Sequence, residues 1–150
     1  MTEIKFTIPG APVGKGRPKF ARRGKFVQAY TPEKTASYES LVKLVASQAM
    51  DGRPPLDVAA SVWIEIYITP PASWSKKKRD LALRGGVMPT GKPDLDNVAK
   101  AILDACNGIA LTDDALACCL SVSKEYREVA QTVVTINPRA LFEHPFVEAA

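Results

Sequence analysis

Lys92-Pro93-Asp94-Leu95-Asp96-Asn97-Val98-Ala99-Lys100-Ala101-Ile102-Leu103-Asp104-Ala105-Cys106-Asn107-Gly108-Ile109-Ala110-Leu111-Thr112-Asp113-Asp114 is the stretch around which the chain is organised. Pro93 disfavours the α region for Lys92 and removes a backbone donor, so the chain reaches Asp94 extended. A helix then begins, with Asp96 or Asn97 as its N-cap, because a short side-chain oxygen there accepts from an unpaired first-turn amide. Val98, Ile102 and Cys106 recur every fourth residue, Ala99, Leu103 and Ala105 widen the stripe, and Gly108 ends the helix just past Asn107.

On this helix Asp96, Lys100 and Asp104 share the face beside the apolar one. Asp94 precedes it and can turn back on the same spot. Ile109 to Leu111 reads as a short extended return, and Asp113-Asp114 as a turn that can bring an acid beside the helix start. Gathered carboxylates repel unless a cation neutralises them, and an oxygen-only set suits Mg²⁺, with Mn²⁺ able to substitute. The bland alternative stays open: an Asp-x-Asp before a helix also serves as a cap with solvated charge, and Asp-Asp as a plain turn.

Lys92-Pro93-Asp94-Leu95-Asp96-Asn97, Lys100, Asp104-Ala105, Asn107-Gly108 and Thr112-Asp113-Asp114 together resemble the RusA family of Holliday-junction resolvases. Gly14-Lys15-Gly16-Arg17-Pro18-Lys19-Phe20 and Tyr30-Thr31-Pro32 are similar to the opening of its phage and prophage members, so the resemblance covers most of the chain. It implies a Mg²⁺-dependent crossover junction endodeoxyribonuclease of DNA recombination and repair, acting as a homodimer. It also implies that Asp94, Asp96 and Asp114 bind the metal and that Lys100 is catalytic; the neighbouring Asp113 is a candidate extra ligand.

The rest of the chain suits that expectation. With 150 residues it is one domain, long enough to bury about 70% of its unfolded surface. No apolar run approaches the ~20 residues of a membrane span, and no signal-peptide pattern opens the chain. Cys106, Cys118 and Cys119 form no Cys-x-x-Cys pair and are odd in number, which reads as small apolar filler in a reducing cytoplasm.

Net charge is +4 with a pI near 9.0, and its distribution says more than its total. After a first strand over Thr2 to Ile8, residues 10–30 form a basic loop carrying Lys15, Arg17, Lys19, Arg22, Arg23 and Lys25, with no acid before Glu33 and with Phe20, Phe26 and Tyr30 interleaved. Such a segment tracks phosphates while an aromatic stacks on a base or anchors the loop. Its glycine spacing does not make a P-loop, since no Ser or Thr follows Lys15.

Thr31 as N-cap and Pro32 as first helical residue open a helix that ends near Asp51-Gly52. Val58 to Thr69 alternates as a long strand. A short basic helix follows, capped by Ser73 or Ser75 and closed by Gly85-Gly86; it offers Lys76, Lys77, Lys78 and Arg79 to phosphate, with Trp74 as anchor or stacking platform. Leu116 to Tyr126 and Val129 to Ile136 read as an antiparallel hairpin. Lys124 faces either the acids or, in the simpler reading, solvent. Asn137-Pro138 closes the sheet before a tail, 137–150, holding the lone His144.

The expected architecture is a single α/β domain over 1–150, a mixed sheet flanked by helices. The expected function is cleavage of four-way DNA junctions by paired nicks, without a membrane partner. Two other readings share these features: a metal-dependent nuclease for flaps, other branched DNA or RNA, and a non-catalytic DNA-binding protein whose acids only cap the helix and pair with Lys100.

Overall fold

The alternation of Ile4, Phe6 and Ile8 with polar neighbours makes β1 (Ile4–Pro9), whose three apolar side chains are buried. A computed structural model describes residues 3–16, 19–30 and 32–139. Thr2, Arg17, Thr31, His144 and the tail from 140 onward lie outside the described residues.

The basic segment is not a plain loop. It contains β2 (Lys19–Arg23) and β3 (Phe26–Tyr30), which pair with each other as a separate antiparallel ribbon. Gly24, at φ +61°, opens the two-residue turn with the positive φ that tight hairpins require.

Helix α1 (Glu33–Met50) buries Thr35, Tyr38, Val42, Ala46 and Met50, one stripe at helical spacing. Pro32 occupies its N-cap position rather than the first helical one. The helix ends on Asp51 in the left-handed region, and Gly52 follows at φ +78°. β4 (Ala60–Ile68) turns Val62, Ile64 and Ile66 into the core and leaves Trp63 exposed. α2 (Lys76–Leu83) is capped by Ser75, whose hydroxyl accepts from the Lys78 amide. Only Ala82 of this helix is buried.

Helix α3 (Leu95–Cys106) buries Val98, Ala99, Ala101, Ile102, Ala105 and Cys106, the expected stripe. Its start differs from expectation. Asp94 holds the N-cap position, neither Asp96 nor Asn97 does, and no side-chain oxygen caps the helix. Gly108, at φ +78°, ends it as anticipated. The following Ile109 to Leu111 is a turn rather than an extended return, with Leu111 bridging Leu56 and Asn107. The amides of Ile109, Ala110 and Leu111 all donate to the Cys106 carbonyl, which curls the segment tightly.

A 3-10 turn at Asp114–Leu116 leads into β5 (Ala117–Tyr126), then β6 (Gln131–Pro138). These last two strands do not form a hairpin. The order is β1-β6-β4-β5, with β5 parallel to β4 and β6 antiparallel to both β4 and β1. Burial explains the choice: Thr132, Val134 and Ile136 are fully buried and need covering strands on both sides, whereas β5 is at best half-buried and suits an edge. The connection between them passes the end of β4, where Arg127 N donates to Ile68 O at 3.0 Å and Thr69 Oγ1 to Glu128 O at 3.2 Å. Asn137 and Pro138 belong to β6, opposite Ser61 and Ala60.

The result is a single α/β domain with a mixed four-stranded sheet. α1 and α3 pack on each other and on the face carrying Ile4, Ile64 and Val134. Of the cysteines only Cys106 is core filler, its thiol pushed up to about 12 by burial, while Cys118 and Cys119 are exposed. Among the described residues no helix is long and apolar enough to cross a membrane.

Candidate active site

Two segments meet at the start of α3, and a third lies against the helix. Residues 91–94 approach the start from the basic helix, the Gly14-Lys15-Gly16 strap is bonded to Asn97, and the 3-10 turn touches α3 with Asp114 within charge range of Lys100. The strap is held by Lys15 N, which donates to Asn97 O at 2.8 Å, and by Gly16 N, which donates to Thr35 Oγ1 at 3.0 Å. Glycine is required for this approach. A Cβ on Gly14 would lie 3.1 Å from Asn97 Cβ and 3.2 Å from Pro93 Cβ, and one on Gly16 only 2.9 Å from Pro32 Cγ. Between strap, α1 and α3 opens a cleft of about 710 Å³ whose lining includes Lys34, Lys92, Asp94 and Asn97.

Asp94 and Asp96 are exposed and, among the described residues, neither carboxylate has a hydrogen bond or an ion pair, although the Asp94 carbonyl accepts from Val98 N at 3.1 Å. Free carboxylates just ahead of and within a first helical turn are favoured by the helix dipole and open to a ligand. Asp113 Oδ1 accepts from the Ala115 amide at 2.9 Å, and that bond holds its carboxyl below the ordinary range. The 3-10 turn touches α3 and sets the Asp114 charge within reach of Lys100.

Lys100 is itself tied. Its Nζ lies 3.0 Å from Asp104 Oδ1, and this hydrogen bond, more than the charge itself, raises the lysine pKa. Asp104 takes Lys15 on its other oxygen at 3.1 Å, and Lys15 in turn pairs with Glu39 of α1 at 2.5 Å. The bond to Glu39 is the main reason the Lys15 pKa rises. Lys15, expected to face DNA, is thus a partly buried link between α1, α3 and the strap.

Lys124 was missed in the simpler reading. It does not face solvent: its Nζ donates to Gly91 O at 2.8 Å and Pro93 O at 3.1 Å, holding the segment that delivers Asp94. The sequence signal was only its alternation on a strand, because its neighbour is set by the parallel crossover from β4 to β5.

The remaining cations are spread over two places. Lys19, Arg22 and Arg23 fall on β2 and Lys25 on the turn. On α2, Lys76 and Lys77 are exposed, Lys78 lies 4.0 Å over the Trp74 ring, and Arg79 reaches toward Pro70 O at 3.5 Å. Trp74 is an anchor, edge-on to Tyr126 at 5.3 Å.

The donors fit a hard divalent cation in kind, since Asp94, Asp96, Asp113 and Asp114 supply only oxygens. Among the described residues no three acidic, histidine or cysteine side chains stand close enough to hold an ion by themselves.

The RusA endodeoxyribonuclease family model matches residues 9–137, which contain every one of these segments. The chain is also 38% identical over 138 residues to the uncharacterised protein YqaN of Bacillus subtilis (strain 168), spanning 89% of this chain and 95% of that one. The chain therefore belongs to the RusA endodeoxyribonuclease family.

Proposed function

We propose that this protein is a divalent-metal-dependent endodeoxyribonuclease of the cytoplasm that resolves four-way DNA junctions by paired nicks, as a homodimer, in recombination and repair. The observation that carries the reading is the pair of unpartnered carboxylates, Asp94 and Asp96, at the start of α3 with Lys100 one turn beyond. Asp94, Asp96 and Asp114 would hold Mg²⁺ or Mn²⁺, with Asp113 adjacent and a substrate phosphate oxygen and waters filling the shell. When bound, that ion supplies an activated water and charge stabilisation at the scissile phosphate.

The chain's own part is positional and electrostatic. The helix N-terminus and Lys100 favour charge building on phosphate oxygens, with Asp104 holding the Lys100 ammonium in place. Arg22, Lys25, Lys76 and Lys77 present exposed cations to the arms. Two copies would offer two centres related by a two-fold axis, matching the symmetry of a four-way junction.

The test is cleavage of a labelled four-way junction beside duplex, flap, RNA and single-strand controls, with Mg²⁺ or EDTA. Symmetric nicks in the junction alone, lost with EDTA and with Asp96→Asn, support the proposal. Cleavage of flaps or RNA instead moves the protein to another nuclease class, and salt-sensitive junction binding without any cleavage makes it a DNA-binding protein of this fold.

A further inference from the structure

The β2–β3 ribbon has one face with an unusual composition. Residues two apart on a strand share a face, as do residues paired directly across an antiparallel ladder, so Phe20, Arg22 and Val27 lie on the same side. Phe20 is 71% exposed, the most exposed large apolar side chain among the described residues, and Val27 is 65% exposed. Single apolar residues on a surface are ordinary, but a phenylalanine and a valine on one face of a projecting two-stranded ribbon are not placed to build a core. Arg22 stands between them in the ladder, Lys25 is at the tip, and no acid occurs from Gly10 to Pro32.

That charge selects a polyanion as the occupant. A second copy of this basic ribbon would add like charge to like. Within nucleic acid, a duplex arm presents base edges and phosphates but no base faces. An exposed aromatic face is satisfied where stacking is interrupted, which in branched DNA is the branch point.

The ribbon is also near the candidate site. Its base is fixed where Lys15 N meets Asn97 O, and the five residues from Lys15 to Phe20 span at most about 18 Å. Phe20 can therefore lie no more than about 18 Å from Lys15, which is bonded to the first turn of α3, and that reach is about half a helical turn of DNA, a distance suited to cutting near a branch.

We infer that the Phe20–Arg22–Val27 face of the β2–β3 ribbon stacks on an unpaired or end-exposed base at the branch point, making the ribbon the element that distinguishes branched DNA from duplex. This rests on the nuclease reading above and names the part of the protein that would give it structural selectivity.

The experiment uses the full chain in EDTA, so that no cutting occurs, with junctions carrying 2-aminopurine either at the branch or inside an arm. Wild type should change the fluorescence at the branch and not in the arm. Phe20→Ala should lose that change and about tenfold of its junction-over-duplex preference while keeping the salt dependence of binding, and Phe20→Trp should restore both. Because Phe20 is exposed, melting temperature should not move.

Retention of the branch signal and the preference by Phe20→Ala overturns the inference while leaving the nuclease reading intact. A shift of Phe20→Ala from dimer to monomer in sedimentation also overturns it, by assigning the face to a second copy. Wild type that neither prefers nor cuts branched DNA removes the nuclease reading and this inference together.

Discussion

Lys15 Nζ lies 3.1 Å from Asp104 Oδ2, so the basic strap is fastened through one carboxylate to the helix that carries the candidate lysine, Lys100. The two side chains are only 25% and 22% exposed, which separates them from ordinary surface pairs, whereas Lys100 at 59% is well screened. Asp104→Asn should therefore cost about 1–2 kcal/mol, or roughly 2–8 °C in melting temperature, mostly through Lys15.

The pH dependence of that difference follows from its sign. Burial works to raise the Asp104 carboxyl, but hydrogen bonds from Lys100 and Lys15 outweigh it and leave the group below its ordinary value of 3.8. A carboxyl held low in the folded state stabilises above its unfolded pKa and loses that as pH falls through the folded value. Thermal melts should show the wild-type advantage over Asp104→Asn full near neutrality and shrinking below about pH 4; an advantage that grows in acid would contradict the ion-pair account.

Gly16→Ala tests the strap directly. The new Cβ meets Pro32 Cγ at 2.9 Å and Thr35 Oγ1 at 3.0 Å, and the proline ring cannot swing aside. A loss of about 1–3 kcal/mol is expected. Gly91→Ala is the control, since its Cβ would enter open space, and it should stay within about 0.5 kcal/mol. Equal melting temperatures for the two variants would mean the strap can lift from α1 without cost.

Mg²⁺ should do little to the free protein. With no three ligands gathered among the described residues, binding before DNA arrives is weak, and millimolar Mg²⁺ should raise the melting temperature by less than about 1 °C. Junction DNA should enlarge the effect, and Asp94→Asn or Asp96→Asn should remove the added part. A shift of several degrees without DNA would mean that the carboxylates close on the ion unaided.

The parts of this architecture that could be read from sequence are those where chemical period and burial coincide. Val98, Ile102 and Cys106 repeat every four residues and are all buried; Ile4, Phe6 and Ile8 alternate and are all buried. The hairpin expected from β5 and β6 failed because two strands joined by four residues look the same whether they pair or flank a third strand. What distinguishes the two strands is the mostly polar run Ser121-Val122-Ser123-Lys124, which suits an edge, beside the alternating, buried Thr132, Val134 and Ile136. The β2–β3 ribbon is hidden in the sequence because its cations, glycine and aromatics follow no apolar alternation. The free acids Asp94 and Asp96 were legible as a pair, but which of them begins the helix was not. Leu95 points partly outward at 38% exposure, so no apolar period marks that first turn.

Lys124 shows what only the tertiary arrangement reveals, and it gives the last prediction. Its ammonium bonds the carbonyls of Gly91 and Pro93 from the edge strand, so it sets the path by which Asp94 reaches the start of α3. Those carbonyls lie near the surface, where water can replace the lysine, and Lys124→Met should lower stability by no more than about 1 kcal/mol. A carboxylate displaced by about an ångström should cost far more in chemistry, about 10²-fold in cleavage rate. Junction affinity in EDTA should stay within about twofold, because the lysine is turned inward and contributes little to phosphate binding. Lys124→Arg should recover part of the rate, since a guanidinium can still donate to both carbonyls. The measurement is single-turnover cleavage beside junction binding for the three proteins. Should rate and affinity fall together, Lys124 is a DNA contact; should neither fall, the 91–94 segment holds its course without it.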